Sequence, residues 1–207
     1  MVTSLAQIER AALADLFAQV GPDQPTLCGQ WRTRDLAAHL VLRERRPDAA
    51  LGIVVRPLAA HTEAVQQRLA ATPWLELVAK VRRRSPLLVG RVDDLINTTE
   101  FFVHHEDVRR AQDGWAPRPH DERLERGMWR VLRGHGRAFF RRSPVGVVLT
   151  LPDGTSHVAS NQGSSVTLVG PATELLLYAF GRTGHVRVEI QGDNDAVSAF
   201  SSTSLVV

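Results

Sequence analysis

Residues 97–107, with the sequence NTTEFFVHHED, decide the fold class of the first half of the chain. Their apolar residues recur at steps of three and four, which predicts a long helix over about 89–111. Glu100 and His104 are four residues apart, so their side chains leave the same helical face one turn apart. His105 points about 100° away from that face. The stretch therefore predicts a carboxylate and an imidazole side by side on one helix.

Helical segments also precede this stretch. The spacing of apolar residues and the helix-stop signals predict helices over 5–20, from Thr33 to just before Pro47, over 58–71 and over 72–84. In the first of them the predicted inward stripe is Leu5, Ile8, Ala12, Leu13, Leu16 and Val20. Thr33 is the predicted N-cap of the second helix, in which His39 shares an inward face with Leu36 and Leu40. Short connections favour an up-and-down four-helix bundle.

The pattern changes in the second half of the chain. A further helix is predicted over 122–142, followed by a β-hairpin around the turn LPDG at 151–154. Strands are predicted at 166–169 and 186–190, with a helix over 171–180 between them. We therefore expect an α+β protein with two domains. Residues 1–118 form the helical bundle, and residues 119–207 form a bridging helix and a small α+β domain.

Composition and charge exclude several classes of protein. The 25 basic and 22 acidic residues leave a net charge of only +3, and the arginine clusters at 43–46 and 82–84 lie in helical patterns. They are interpreted as solvated helix faces, so no nucleic-acid partner is expected. No apolar run approaches the roughly 18 residues of a membrane span, and charged residues interrupt the N-terminal stretch where a signal peptide is apolar. A cytoplasmic location without membrane attachment is predicted.

The cysteine count limits the chemistry. Cys28 is the single cysteine, which rules out an internal disulfide and a multi-thiolate metal site. It is interpreted as a small, buried apolar residue rather than as a nucleophile.

His39 can complete a ligand set with Glu100 and His104, because bundles hold metals between side chains of facing helices. Two imidazoles and one carboxylate leave a coordination position open, as in catalytic zinc sites. The same set suits iron, and nickel and manganese also fit. The alternative is chance spacing with histidines hydrogen-bonded in a core, although a buried, unpaired Glu100 would then be costly. The three residues that follow, at 105–107, either orient the ligands or shuttle protons, or they face solvent or pair with Arg109 and Arg110.

Three segments resemble a known family. Residues 27–40 (LCGQWRTRDLAAHL) and 97–111 (NTTEFFVHHEDVRRA) resemble the two signature stretches of actinobacterial DinB-like metal-binding proteins, which are related to mycothiol-dependent maleylpyruvate isomerase. Residues 170–182 (GPATELLLYAFGR) resemble the second domain of that family. The resemblance implies a four-helix bundle with a divalent metal, usually zinc, held by His39, Glu100 and His104. It further implies mycothiol, a low-molecular-weight thiol, as co-substrate of an isomerase or S-transferase acting on a small electrophile.

Two further residues are candidates for binding the co-substrate or substrate. Asn97 lies one turn before Glu100 and is predicted to line the same cavity. Arg182 follows a predicted helix end, where it either reaches a substrate carboxylate or satisfies terminal carbonyl groups. Two other functions stay open at this point. Water in the open metal position would make a hydrolase, and a metal-stabilised bundle without catalysis would be a binding module. The expected oligomeric state is a monomer or a homodimer.

Overall fold

Helices make up most of the first unit of the chain, residues 1–116. The computed structural model describes residues 3–50, 52, 55–84 and 91–203. In the first unit the helices are α1 (Leu5–Val20), α2 (Thr33–Arg45), α3 (Pro47–Ala50), α4 (Ala59–Ala70), α5 (Trp74–Arg82) and α6 (Arg91–Arg109), with a 3-10 turn at Arg56–Leu58. The predicted start of α6, at residues 89–90, lies outside the described residues, and the helix ends two residues before the predicted end.

Helix α1 has the predicted bounds but a different inward face. The Ser4 hydroxyl accepts a hydrogen bond from the Gln7 N–H, and Gly21, at φ 84°, ends the helix. Ile8 of the predicted stripe is 42% exposed, whereas Glu9 and Arg10 are buried. The apolar period misplaced the face because these two charged residues have polar partners in the interior, His105 for Glu9 and Glu44 for Arg10.

The Arg10–Glu44 ion pair connects four helices of this unit. The Arg10 guanidinium donates to both carboxylate oxygens of Glu44 on α2 and to the Val81 carbonyl on α5. It also lies 4.1 Å from the centroid of the Phe101 ring on α6. Around this pair the four helices share one apolar core, whose fully buried members include Leu13, Phe17, Leu36, Leu77, Phe101 and Val108.

Helix α2 begins one residue earlier than the predicted cap implies, because Arg32 and not Thr33 is its N-cap. The Asp35 carboxylate accepts the Arg32 N–H at 2.9 Å, while the Thr33 hydroxyl donates to the Gly21 carbonyl at 2.6 Å. Thr33 thus fastens the helix to the end of α1. His39 then lies inward, 9% exposed, as the sequence predicted.

The second unit, residues 117–207, combines helices with a four-stranded sheet. Its elements are α7 (Glu122–Phe139), β1 (Gly146–Thr150), β2 (Ser156–Ser160), β3 (Ser165–Val169), α8 (Ala172–Ala179), β4 (Glu189–Gly192) and α9 (Asn194–Ser201), with a 3-10 turn at Thr183–His185. The sheet order is β2-β1-β3-β4. Strands β1 and β2 form the predicted antiparallel hairpin, β3 is parallel to β1, and β4 is antiparallel to β3. The α+β prediction is confirmed.

Two details of this unit differ from the prediction. The fourth strand spans 189–192 rather than 186–190, because its pairing with β3 begins at Glu189, opposite Val169, and the Arg187 N–H donates to the Glu174 carboxylate instead. Helix α9 was not predicted; it is held by the buried Ala196 and Phe200. Across the described residues of both units, no helix is long and apolar enough to cross a membrane.

Candidate metal centre

Three side chains from two helices converge in the first unit. His39 on α2 and the pair Glu100 and His104 on α6 each offer one ligand atom, and these atoms lie within 4.8 Å of one another. The Glu100 Oε1 atom is 3.2 Å from His104 Nε2 and 3.6 Å from His39 Nε2. We call these three residues the triad. The structure therefore brings together the ligand set that the sequence predicted.

The spacing of the triad fits a single divalent cation. Ligand atoms at about 2.0–2.1 Å from a tetrahedral zinc ion are about 3.4 Å from one another. The two distances from Glu100 Oε1 lie on either side of that value. Two imidazole nitrogens and one carboxylate oxygen are also a donor set that zinc and several other transition metals bind. The residues present thus fit a metal in both type and separation.

The charge state of Glu100 suits a cation as well. Burial opposes ionisation of this carboxyl, but hydrogen bonds with His104 and His39, together with the charge of Arg43, hold its pKa well below the usual range. The sequence analysis expected a buried Glu100, because its neighbours in sequence are apolar. The Glu100 side chain is in fact 24% exposed. Glu100 is therefore a carboxylate that remains accessible.

Asp107 contacts the His104 ring at Nδ1, the nitrogen that does not face Glu100. Its Oδ2 atom is 2.9 Å from His104 Nδ1, and its side chain is fully buried. This contact leaves Nε2 as the nitrogen of His104 that faces Glu100. Burial is the largest single influence and lowers the pKa of His104, but the hydrogen bonds with Asp107, Cys28 and Glu100 and the charge of Glu100 together outweigh it and raise this pKa well above its ordinary value. A carboxylate behind a histidine ligand is the usual second partner in metal sites.

The other two residues that the sequence offered as orienting groups have different partners. His105 Nδ1 lies 3.2 Å from the Glu9 carboxylate on α1. Glu106 accepts hydrogen bonds from Arg109 and Arg110, at 2.7 and 2.5 Å. The pairing with Arg109 and Arg110 that the sequence analysis considered is thus observed for Glu106, whereas His105 is buried and neither faces solvent nor contacts the triad. Of the residues at 105–107, Asp107 is the one that contacts the triad.

Cys28 lies beside the triad, which the sequence analysis missed. Its thiol donates to Asp107 Oδ2 at 3.0 Å, and its Sγ atom is 3.7 Å from His104 Nδ1. Cys28, His104 and Asp107 thus form a second cluster of potential ligands, which shares His104 with the triad but uses its other nitrogen. Cys28 does pack against the apolar core, but it is only partly buried and its thiol is hydrogen-bonded, which its interpretation as an apolar residue did not include. No sequence signal connects it to Asp107, which is 79 residues away.

Arg43 is a second neighbour that the sequence analysis missed. Its Nε atom is 3.5 Å from Glu100 Oε1, and its Nη1 atom donates to the Asn97 side-chain oxygen at 3.0 Å. Asn97 itself is buried, and this hydrogen bond connects it to the triad through Arg43. The signal that was available is the spacing of His39 and Arg43, four residues apart on α2.

Arg182, the other candidate binding residue, lies in the second unit after α8. Its Nη1 atom donates to the Phe180 carbonyl at 2.5 Å, at the C-terminal end of that helix. Of the two roles considered for Arg182, the observed contact corresponds to the satisfaction of a terminal carbonyl group of the helix. The candidate role in binding a substrate carboxylate stays a prediction.

A cavity of about 720 Å³ in the first unit reaches His39. Trp31 and His39 form part of its wall, with their ring centroids 5.1 Å apart. Helix α4 contributes Thr62, Glu63, Gln66 and Gln67, and α2 contributes Asp35. The triad can therefore be approached by a small molecule from the side of His39.

This arrangement defines a class of two-unit proteins, in which a helical unit with a His-Glu-His cluster precedes a small α+β unit. Mycothiol-dependent maleylpyruvate isomerase has the same fold, with a TM-score of 0.54 over 89% of this chain and 90% of that chain, at 16% identity. A histidine-to-alanine mutant of that isomerase matches over the same shares of both chains, at a TM-score of 0.53 and 16% identity. No protein-family model and no curated protein matches the chain. The resemblance found in the sequence is confirmed at the level of the fold.

Proposed function

We propose that this protein is a divalent-metal-dependent enzyme that uses mycothiol as co-substrate, in an isomerase or S-transferase reaction on a small electrophile. The observation that carries the proposal is the convergence of His39, Glu100 and His104 around space for one cation, with Asp107 behind His104. The shared fold with a mycothiol-dependent isomerase supports the choice of thiol. Zinc is the proposed metal.

The proposal includes the DinB-like four-helix arrangement of the first unit. It is supported by the packing of α1 against α6 and of α2 against α4 and α5. In such a bundle the ligands project from facing helices into the interior. The closeness of the His39 ligand atom on α2 to those of the pair on α6 supports such an arrangement.

Each residue of the site has a distinct task in this proposal. His39, Glu100 and His104 hold the metal, and Asp107 fixes the ring orientation and tautomer of His104 by accepting its Nδ1–H. When bound, a divalent metal lowers the pKa of a thiol or water that it contacts, so that the thiolate forms at neutral pH. The cavity beside His39 gives the thiol and the substrate their route to the triad.

The thiol comes from outside the chain. Cys28 is placed on the Nδ1 side of His104, where its thiol donates to Asp107, whereas the face toward the other triad residues is the Nε2 side. An external thiolate adds to an electrophilic carbon of a carbon–carbon double bond, forming a C–S bond. Rotation about the resulting single bond and expulsion of the same thiolate give the isomer, and no oxidant is consumed. Departure of another leaving group instead gives transfer.

Two measurements test the proposal. Purified protein loaded with zinc should hold close to one ion per chain, and His39→Gln should abolish this content, whereas the exposed control His61→Gln should keep it. Mycothiol at saturating concentration should then raise the melting temperature of the zinc protein, because a ligand of the folded state stabilises it. Full zinc retention in His39→Gln would contradict the proposed metal site. A melting temperature that mycothiol does not change would contradict the proposed thiol co-substrate.

A further inference from the structure

We propose that the second unit binds duplex DNA through its phosphates, along a row of arginines on the exposed face of α7. The row, which we call the arginine stripe, consists of Arg123, Arg126, Arg130, Arg133 and Arg137. It lies in a different unit from the triad. The inference therefore goes beyond the proposed function and does not depend on the metal or on the thiol.

The helix places these five side chains in one line. They recur at steps of three and four residues, so at 100° per residue they lie within about 80° of arc. All five are exposed. Leu124, Met128 and Leu132 are buried on the other side of the helix, which packs against α8 and β2. The arginine stripe therefore points away from the interior of the second unit.

The chain supplies little negative charge to this face. No acidic residue occurs in the sequence between Glu125 and Asp153. Arg126 pairs with Glu122 at the surface, whereas the other four members of the stripe have no ion-pair partner in the part of the chain that the structure describes. On a solvated helix face, opposite charges usually alternate at a spacing of four residues, and like charges at that spacing repel. An external polyanion removes this repulsion.

The spacing of the stripe matches that of phosphates in duplex DNA. The stripe is about 21 Å long, because α-helical residues rise by about 1.5 Å. Each strand of a duplex has one phosphate per about 3.4 Å of helix axis, which gives about six phosphates over the same length. Five guanidinium groups thus face a similar number of phosphates, and each group can bind its phosphate through two N–H donors.

The other side chains of α7 favour duplex DNA over other polyanions. Within this helix, all of which the structure describes, no large apolar side chain is exposed, and Trp129 is half-buried against His157. A membrane-bound helix inserts apolar side chains, and a protein interface has an apolar core. Single strands stack their bases on accessible aromatic rings. Contact with the phosphates of a duplex needs none of these features.

The arginine stripe revises an expectation from the sequence. No nucleic-acid partner was expected, because the net charge is only +3 and the arginine clusters at 43–46 and 82–84 lie in helical patterns. The members of the stripe are three or four residues apart, so they do not form a cluster in the sequence. The helix predicted over 122–142 nevertheless contains the signal, because its arginines share one face.

The test measures the fluorescence anisotropy of a labelled DNA duplex that is titrated with the full chain, at sodium chloride concentrations from about 50 to 200 mM. Each neutralised phosphate contributes about −0.9 to the slope of log affinity against log salt, so five contacts predict a slope of about −4.5. Two duplexes of unrelated sequence should bind within about twofold of each other, because phosphate contacts carry no sequence information.

A triple variant tests the stripe itself. Replacement of Arg130, Arg133 and Arg137 together by glutamine should weaken binding and make the slope shallower by about 3, at about 1 per lost phosphate contact. The matched control replaces the exposed residues at 82–84, all arginines, by glutamine. It removes the same net charge from the first unit and should keep the wild-type slope.

A lysine version of the triple variant checks that charge is the property that matters. Lysine at positions 130, 133 and 137 keeps the three charges, so the wild-type slope should be retained. Because the replaced side chains are exposed, we expect all three variants to fold, which circular dichroism verifies.

Several outcomes would overturn the inference. One is a wild-type protein that does not bind the duplex at the lowest salt concentration, and another is an equal loss of binding in the two glutamine variants, which would assign the effect to net charge. A tenfold difference between the two duplexes would contradict phosphate contact alone. Tighter binding to a single strand, to equimolar phosphatidylcholine–phosphatidylserine vesicles or to poly-glutamate would assign the stripe to a different partner. None of these results bears on zinc or thiol binding at the triad.

Discussion

Replacement of Asp107 by asparagine perturbs the proposed metal site while all three residues of the triad stay unchanged. The variant keeps the side-chain volume and an acceptor oxygen but loses the charge that faces His104 Nδ1 at 2.9 Å. Loss of such a partner behind a histidine ligand typically costs 10- to 100-fold in metal affinity. We therefore expect zinc binding to weaken by about 1.4 to 2.8 kcal/mol, at about 1.4 kcal/mol per tenfold.

The assay is a competition titration of zinc against a chromogenic chelator at one fixed pH, on protein whose folding is checked by circular dichroism. Asp48→Asn is the matched control, because that carboxylate is half exposed and pairs with Arg46, and its zinc affinity should equal that of the wild type. An Asp107→Asn protein that is folded and binds zinc within about twofold of the wild type would refute the reasoning.

The same titration distinguishes the two ligand clusters that share His104. If zinc occupied the cluster of Cys28, His104 and Asp107, then Asp107→Asn would remove a ligand rather than its support. The loss would far exceed 100-fold, and Cys28→Ala would reproduce it. We expect Cys28→Ala to have little effect on zinc affinity.

Two further predictions concern stability. Arg10→Met should lower the free energy of unfolding by about 3–5 kcal/mol, because it leaves the Glu44 carboxylate buried and unpaired; Arg82→Met, which breaks the exposed pair with Asp15, should cost less than about 1 kcal/mol. Equal losses in urea unfolding of these two variants would contradict the assigned burial. Gly136→Val should destabilise the protein by about 1–3 kcal/mol through overpacking, since a Cβ at Gly136 would lie 3.1 Å from Ala159 Cβ, where α7 packs on β2. Gly134→Val, on the same helix, meets nothing within 4 Å and serves as the thermal-unfolding control; a Gly136→Val loss no larger than the control's would show that the close approach is unimportant.

The helices, and the face on which each triad residue lies, could be predicted because their signals are local. Glu100 and His104 share a face by their spacing alone, and His39 lies inward because Leu36 and Leu40 flank it on one face. The hairpin around residues 151–154 has its own turn sequence. These features need no knowledge of how distant segments meet.

The rest of the site depends on long-range packing. Cys28 reaches Asp107 because the loop before α2 lies against α6, where the Leu27 N–H donates to the Asp107 carbonyl at 3.0 Å. Arg10 looks like a surface residue in the sequence, and its burial depends on a partner 34 residues away. Apolar periodicity assigns such charged residues to the outside, so it could not find the interior ion pairs.

The most direct test of the central claim is a crystal structure of the zinc-loaded protein with anomalous data collected at the zinc edge. We predict one anomalous peak in the first unit, between the Nε2 atoms of His39 and His104 and the Glu100 carboxylate. A peak on the other side of His104, between Cys28 and Asp107, or no peak at the triad in zinc-saturated crystals, would contradict the account.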